Sequence, residues 1–328
     1  MKKFINHVDT LLEESLRGFA KAHADLVEVC FEPRFVRRRQ PAADKVAVIS
    51  GGGAGHEPLH SGFVGKGMLD AACPGQIFTS PTPHQMLAAA QAVAGDSGVL
   101  FIVKNYAGDV MNFEMAAEML DCPCETVLVQ DDIALPREHE IGRRGVAGTV
   151  IVEKIVGAAA EAGADLKTLK ALGDRVAERI ATIGVALSGC NVPALGGPTF
   201  ELPPDKIECG VGIHGEHGRE IADFASATEI VKMMVEAIDE ELSPRRGQRV
   251  LLHVNGLGAT TLMELYLVYE LAHDFWSQEG VDICRSLVGS YTTALDMAGC
   301  SITLALLDDE MIHLWDAPVH TAALRWGC

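Results

Sequence analysis

Short apolar runs that break off at glycine and polar residues recur along the chain. Val46–Ile49 (VAVI) reads as a strand buried on both faces, Gly98–Val103 (GVLFIV) as a second fully apolar strand, and Thr126–Val129 and Thr182–Ser188 as further strands. Val27–Phe35 reads as one further strand ahead of them. Between the strands, apolar residues return at helical spacing. Phe4, Ile5, Val8, Leu11, Leu12 and Leu16 mark an amphipathic helix within Met1–Ala20. Met86–Val93, Val110–Leu120 and Leu166–Ile180 follow, with a long helix opening at Gly142–Lys154. Strand and helix in alternation predict an α/β layer fold.

The pattern changes between Gly189 and Glu208, where Pro193, Gly196, Gly197, Pro198, Pro203 and Pro204 crowd a short span that reads as a linker. Beyond it come strands at Cys209–Ile213, Arg249–Val254, Ile283–Val288 and Ser301–Leu306, with helices at Ile230–Glu240 and Leu262–His273. The expected architecture is two α/β domains, residues 1–188 and 189–328, each a sheet flanked by helices.

Candidate chemistry sits where apolar runs end. In open α/β sheets ligands bind outside the carboxyl ends of the strands. Val46–Ile49 leads into Gly51, Gly52, Gly53 and Gly55, glycines that permit positive φ and close approach to a ligand, and then into His56 and Glu57. The Gly98–Val103 run ends in Lys104-Asn105-Tyr106-Ala107-Gly108-Asp109. Asp109 also suits an N-cap for the next helix, but capping does not explain a lysine directly after a buried run. Cys209–Ile213 ends on His214, an imidazole between Ile213 and Gly215.

Named motifs fail at the first of these ends. A dinucleotide fingerprint needs glycine where His56 stands, and a P-loop needs Gly-Lys-Ser/Thr where the chain has Gly55-His56-Glu57. His56-Glu57-Pro58-Leu59-His60 has the letters of a zinc-protease motif, but Pro58 opposes the continuous helix that chemistry requires.

With 328 residues, 48% of them hydrophobic, the chain can bury real cores. Forty-five acidic against 27 basic residues give a net charge of −18, which repels phosphate backbones and anionic lipid, so neither nucleic acid nor membrane is an expected partner. Nine scattered cysteines, an odd number without a leader sequence, read as reduced thiols and a cytoplasmic protein. No apolar run reaches transmembrane length. The Arg37-Arg38-Arg39 run reads as a solvated loop.

Taken together, the strings MKKFIN, SGGGAGHEP, GMLDAACPGQIFTSPTP, VKNYAGDVMNFE, GRRGVAGTV, CGVGIHGE, NGLGAT, LDMAGCSITL and LWDAPVHT resemble the substrate-binding K subunit of dihydroxyacetone kinase over essentially the whole chain. The resemblance implies a glycerone-kinase subunit that binds dihydroxyacetone or a similar short ketose. His214 would form a hemiaminal with the ketone, Asp109 would act as general base, and His56 would polarise the bound triol. Gly53, Ala54, Gly55, His56, Lys104 and Asp109 would hold the rest of the substrate. It also implies a homodimer, no metal or cofactor in this chain, and a separate L-type subunit carrying ADP or ATP with Mg²⁺, with the phosphotransferase system or ATP as the ultimate donor. Two departures, Ala107 in place of threonine and His217-Gly218-Arg219-Glu220 after IHGE, leave dihydroxyacetone and a four-carbon ketose both open. The alternative is a non-catalytic ketose sensor that coregulates a transcription factor. A nucleotide-dependent oxidoreductase is disfavoured by His56.

Overall fold

The computed structural model describes residues 2–42, 44–136 and 142–328. Its backbone separates into two compact units interleaved in sequence, one of 1–129, 149–176 and 313–328, the other of 130–148 and 177–312.

The first unit opens with α1 (Leu11–Ala22) and the antiparallel hairpin β1 (Val27–Phe31) and β2 (Arg34–Arg38). The single strand expected over Val27–Phe35 is thus two, because the chain reverses at Glu32-Pro33. Then come β3 (Ala47–Ala54), the short β4 (Gly65–Lys66), β5 (Ala71–Ile77), α2 (Pro83–Val93), β6 (Val99–Lys104), α3 (Ala107–Glu118), β7 (Cys124–Val129), α4 (Thr149–Glu161) and α5 (Leu166–Ala177). The sheet runs β1-β2-β5-β3-β6-β7, with β5, β3, β6 and β7 mutually parallel. One face packs Ile49, Phe101 and Val103 on Met86, Ala89, Ala90 and Phe113 of α2 and α3. The Phe101 and Phe113 rings meet edge to face at 5.1 Å, worth about 0.5–1.5 kcal/mol beyond their burial. Helix α4, buried along nearly its whole length, packs on β3 and β6. With both faces covered, the central strands need apolar residues on both sides, which is why they read as continuous runs.

Two local expectations are corrected here. The arginine run is not a solvated loop: Arg38 is buried, pairs with Asp70 at 2.9 Å and reaches Glu161 at 2.9 Å, while Arg37 pairs with Glu28. The glycines after Ile49 do not end the strand, since β3 continues through them to Ala54 with one register shift against β5. Of the four, only Gly55 has positive φ, 100°. Gly51, Gly52 and Gly53 are needed for space instead. A Cβ on Gly51 would lie 2.7 Å from the Cys73 carbonyl oxygen, and one on Gly53 would lie 2.7 Å from the Thr79 nitrogen.

The second unit contains β8 (Ile180–Ala186), the paired β9 (Asn191–Val192) and β10 (Gly197–Pro198), β11 (Lys206–Cys209), β12 (Glu220–Asp223), α6 (Ala227–Leu242), β13 (Arg249–Gly256), α7 (Leu262–Gln278), β14 (Asp282–Gly289) and β15 (Gly299–Leu306). Its sheet is ordered β12-β11-β8-β15-β13-β14, parallel only at β13–β14. Ile183, Val250, Leu252, Ile302 and Leu304 form one apolar face with Val231, Met234, Ile238, Leu265 and Trp276 of α6 and α7. After α8 (Asp309–Asp316), the chain ends in β16 (Val319–Thr321) and β17 (Arg325–Trp326), which join β4 in a small sheet of the first unit.

The boundary at 188/189 is therefore corrected. Strand β8 pairs with β15 and β11, so it belongs to the second sheet, and the last residues return to the first. A proline-rich span marked the split, but pairing partners distant in sequence decide it. The fold class, α/β with helix-flanked sheets, stands as expected.

Candidate active site

In the first unit, the candidate residues meet at the ends of β3 and β6. Lys104 is the last residue of β6 and fully buried, with its ammonium 2.9 Å from Nε2 of His60 and 3.5 Å from Oδ2 of Asp109. Asp109 lies in the first turn of α3 but does not cap it: the helix begins at Ala107 with Tyr106 at the N-cap. Its Oδ1 is buried with no hydrogen-bond partner among the described residues. A buried carboxylate oxygen left so is costly unless something else occupies it.

His56 and Glu57 follow Gly55 on a turn. The His56 ring is buried and stacks on Phe78 at 5.0 Å, with 18° between planes. Phe78 holds this position with φ 56°, a left-handed conformation that costs about 1–2 kcal/mol for a non-glycine residue. Both Glu57 oxygens accept from the Gly55 N–H, at 3.1 and 3.0 Å. Burial pushes the Glu57 carboxyl up, against the pull of those backbone bonds. Gly53 and Ala54 lie on β3, Gly53 against the backbone of Phe78 and Thr79. No α-helix runs through His56–His60.

Sequence reasoning missed what lies behind Lys104. Nδ1 of His60 is 2.6 Å from Oε1 of Glu153 on α4 and 3.0 Å from the Ser50 hydroxyl, which itself donates to the Ile102 carbonyl. Burial and the nearby Lys104 charge drive the His60 imidazole well below its ordinary value, so the ring is neutral. Burial also pushes the Glu153 carboxyl up to about 8, against the pull of Lys104 and Ser50. Gly52 belongs here as well, since a Cβ on it would lie 2.3 Å from the Lys104 ammonium. The signal available in the sequence was the otherwise apolar setting of Glu153 and Lys154 in TVIVEKIVGAAA.

In the second unit, β11 ends at Cys209, earlier than the expected Ile213, because Gly210 turns the chain with φ 80°. His214 follows on the turn. Its Nδ1 lies 2.7 Å from Oε1 of Glu216, and its backbone N–H donates to Oε2 at 2.9 Å. A neutral His214 ring that donates Nδ1–H in this way carries its lone pair on Nε2. Burial opposes ionisation of Glu216, but the His214 hydrogen bond and the Arg144 charge outweigh it and hold the carboxyl at about 2. Arg144 is anchored by Asp132 at 2.7 Å and the Gly210 carbonyl at 2.8 Å. Gly212 leaves room for this cluster, for a Cβ there would lie 2.0 Å from Glu216 Oε2. Arg144 and Glu216 were not singled out from sequence, although both stand in the GRRG and IHGE strings.

Among the described residues no group of three or more His, Cys, Asp or Glu side chains could hold a metal ion, and no helix is long and apolar enough to cross a membrane.

A Dak1 domain matches residues 17–323. The chain belongs to the Dak1 family. The dihydroxyacetone-binding subunit DhaK of the PEP-dependent dihydroxyacetone kinase of Escherichia coli is 46% identical, covering 100% of both chains. DhaK of the PTS-dependent dihydroxyacetone kinase 1 of Listeria innocua is 47% identical over 98% of this chain and 100% of its own. Among solved structures, the dihydroxyacetone kinase of C. freundii superposes with a TM-score of 0.88 at 37% identity, over 98% of this Dak1 chain and 60% of the longer one. The dihydroxyacetone kinase operon co-activator Dha-DhaQ superposes with a TM-score of 0.90 at 32% identity, covering 95% and 97% of the two chains.

Proposed function

We propose that this chain is the ketose-binding subunit of a dihydroxyacetone kinase, capturing dihydroxyacetone or a similar short ketose through His214 and presenting its hydroxyl for phosphorylation by an L-type subunit. The observation that carries the reading is the pairing of Glu216 with His214. It favours the tautomer in which Nε2 can add to a ketone carbon. As that bond forms, the ketone oxygen takes up a proton and positive charge develops on the ring, next to the Glu216 carboxylate. Glycerol and other polyols offer no carbonyl to attack, so covalent capture selects where size cannot.

In this reading Asp109, with an uncommitted oxygen, takes the proton of the hydroxyl that attacks phosphorus, while His56 and Lys104 hold the remaining oxygens. Gly53, Ala54 and Gly55 shape the adjoining loop. Phosphoryl transfer is mainly positioning and charge neutralisation, and the nucleotide and Mg²⁺ are assigned to the partner. High identity to kinase subunits over the full chain supports this, and the assignment extends to a cytoplasmic homodimer.

The resemblance to the Dha-DhaQ co-activator supports a second reading, a ketose sensor that controls a transcription regulator. Purified alone with ATP, Mg²⁺ and dihydroxyacetone, the chain is expected to make no sugar phosphate. Adding a nucleotide-loaded L-type subunit and its phosphotransferase donor starts turnover. Activity of the lone chain sinks the division of labour, and silence with every L-type partner favours the sensor. Replacing His214→Ala abolishes the ketose-dependent mass increase of the intact protein. A wild-type chain without that increase removes the hemiaminal.

A further inference from the structure

The hydrogen-bonded chain behind Lys104 has no assigned role, although all its members are buried. Three contacts connect it: Asp109 Oδ2 to Lys104 Nζ at 3.5 Å, Lys104 Nζ to His60 Nε2 at 2.9 Å, and His60 Nδ1 to Glu153 Oε1 at 2.6 Å. A lysine ammonium only donates, so Nε2 of His60 must accept. The proton of the neutral ring then lies on Nδ1, where Oε1 of Glu153 at 2.6 Å is the nearer acceptor and the Ser50 hydroxyl oxygen at 3.0 Å the farther. Oε1 can accept it whether or not Glu153 carries a proton on Oε2, an atom with no partner among the described residues.

We propose that His60 and Glu153 are positioning residues of this site: Glu153 accepts the Nδ1–H of His60, and the imidazole so fixed receives the Lys104 ammonium at Nε2 and holds it against Asp109. The inference rests on the reading of Asp109 as the proton acceptor in transfer. Purely structural burial does not account for the arrangement. An ammonium, an imidazole and a carboxyl group are all taken out of water here, where apolar residues of similar volume pack at least as well. The donors diverge from Lys104, one arm ending at Asp109 and the other passing through His60 to Glu153, so the ammonium is held from both sides. The titratable and charged groups facing His60 are Lys104 from β6, Glu153 from α4 and His56 from the adjoining turn, with Asp109 beyond Lys104.

Two measurements on the full chain test this. The first is the tautomer of His60, read by ¹⁵N NMR of histidine-labelled protein and assigned by loss of its signals in His60→Gln. The expected result is a neutral ring protonated at Nδ1 at pH 7, and a ring protonated at Nε2, or an imidazolium, overturns the proposal. This readout needs no turnover, so it stands apart from the kinase assignment. The second compares Glu153→Leu with Glu153→Gln in the reconstituted reaction. Gln keeps an acceptor oxygen in place, and Leu does not. The Leu variant should lose turnover roughly 10- to 100-fold, as when an outer partner of a functional imidazole is removed. It should still form the His214 adduct at saturating ketose, and Gln should restore most of the rate. Wild-type turnover in a folded Leu variant, or equal losses in Leu and Gln, overturns it. If Leu does not fold, His60→Asn, whose amide can donate to Glu153 but places no acceptor where Nε2 stood, must lose turnover, and an unimpaired rate there is equally fatal.

Discussion

Replacing Glu216→Gln isolates the orientation of His214 from its mere presence. The carboxylate receives two donors from the same residue, Nδ1–H on Oε1 at 2.7 Å and the backbone N–H on Oε2 at 2.9 Å. A glutamine has one acceptor oxygen and one NH₂. Whichever way the amide turns, one His214 donor faces another donor. A hydrogen bond to a charged group contributes about 1.5–3 kcal/mol. The Glu216 side chain is 35% exposed, so solvent screens part of that. A loss of about 1–2 kcal/mol remains, roughly a 5- to 30-fold shift in an equilibrium. The assay is intact-mass titration of the adduct against dihydroxyacetone concentration. Half-saturation is expected to rise by that factor, with full occupancy still reached at high ketose. Because the Glu216 carboxyl is held at about 2, below its ordinary 4.5, the charged acceptor persists as pH falls and is lost only near pH 2. Half-saturation equal to wild type would refute the role given to Glu216, whereas absence of adduct from wild type would refute the role given to His214.

Asp109→Asn should retain the ketose adduct but lower reconstituted turnover roughly 10²- to 10⁴-fold, the contribution of a general base; near-normal turnover would leave the carboxylate without a chemical role. Gly52→Ala puts a methyl carbon 2.3 Å from the Lys104 ammonium. Overpacking of about 1–3 kcal/mol should lower the melting temperature, and turnover should fall with it as Lys104 leaves its seat; a variant that melts and turns over like wild type contradicts the geometry. Glu153→Gln should be stabilised relative to wild type as pH rises. The native Glu153 carboxyl binds its proton up to about 8 and the unfolded one only to its ordinary 4.5. Between those values the native state holds more protons than the unfolded, so wild-type stability declines with pH and the variant escapes that decline. Thermal melts at pH 5 and pH 8 measure the gap; a gap that narrows with pH contradicts a buried, proton-holding carboxyl.

What the sequence made legible follows from which signals are local. Strands β3 and β6 announce themselves because both faces are covered, which makes Val46–Ile49 and Val99–Val103 apolar throughout. Lys104 stands out for the same reason, a charge at the end of such a run. Boundaries set by pairing were not legible: nothing within Ile180–Ala186 says that its partner is Gly299–Leu306, and the fold divides there accordingly. Glycines misled in a specific way. Gly52 suggests positive φ and close approach to a ligand, yet there, as at Gly212, the missing Cβ makes room for side chains of the protein itself, Lys104 from β6 and Glu216 from the turn beyond β11. The supporting residues show the same asymmetry. His56, Asp109 and His214 lie at strand or helix ends, where sequence punctuation points to them. Glu153 lies inside a helix buried along nearly its whole length, and Arg144 in a turn whose anchor, Asp132, is 12 residues away. A buried charge carries no partner's name in the sequence. It does carry a demand for one, and Glu153 in TVIVEKIVGAAA makes that demand as plainly as Lys104 does after GVLFIV.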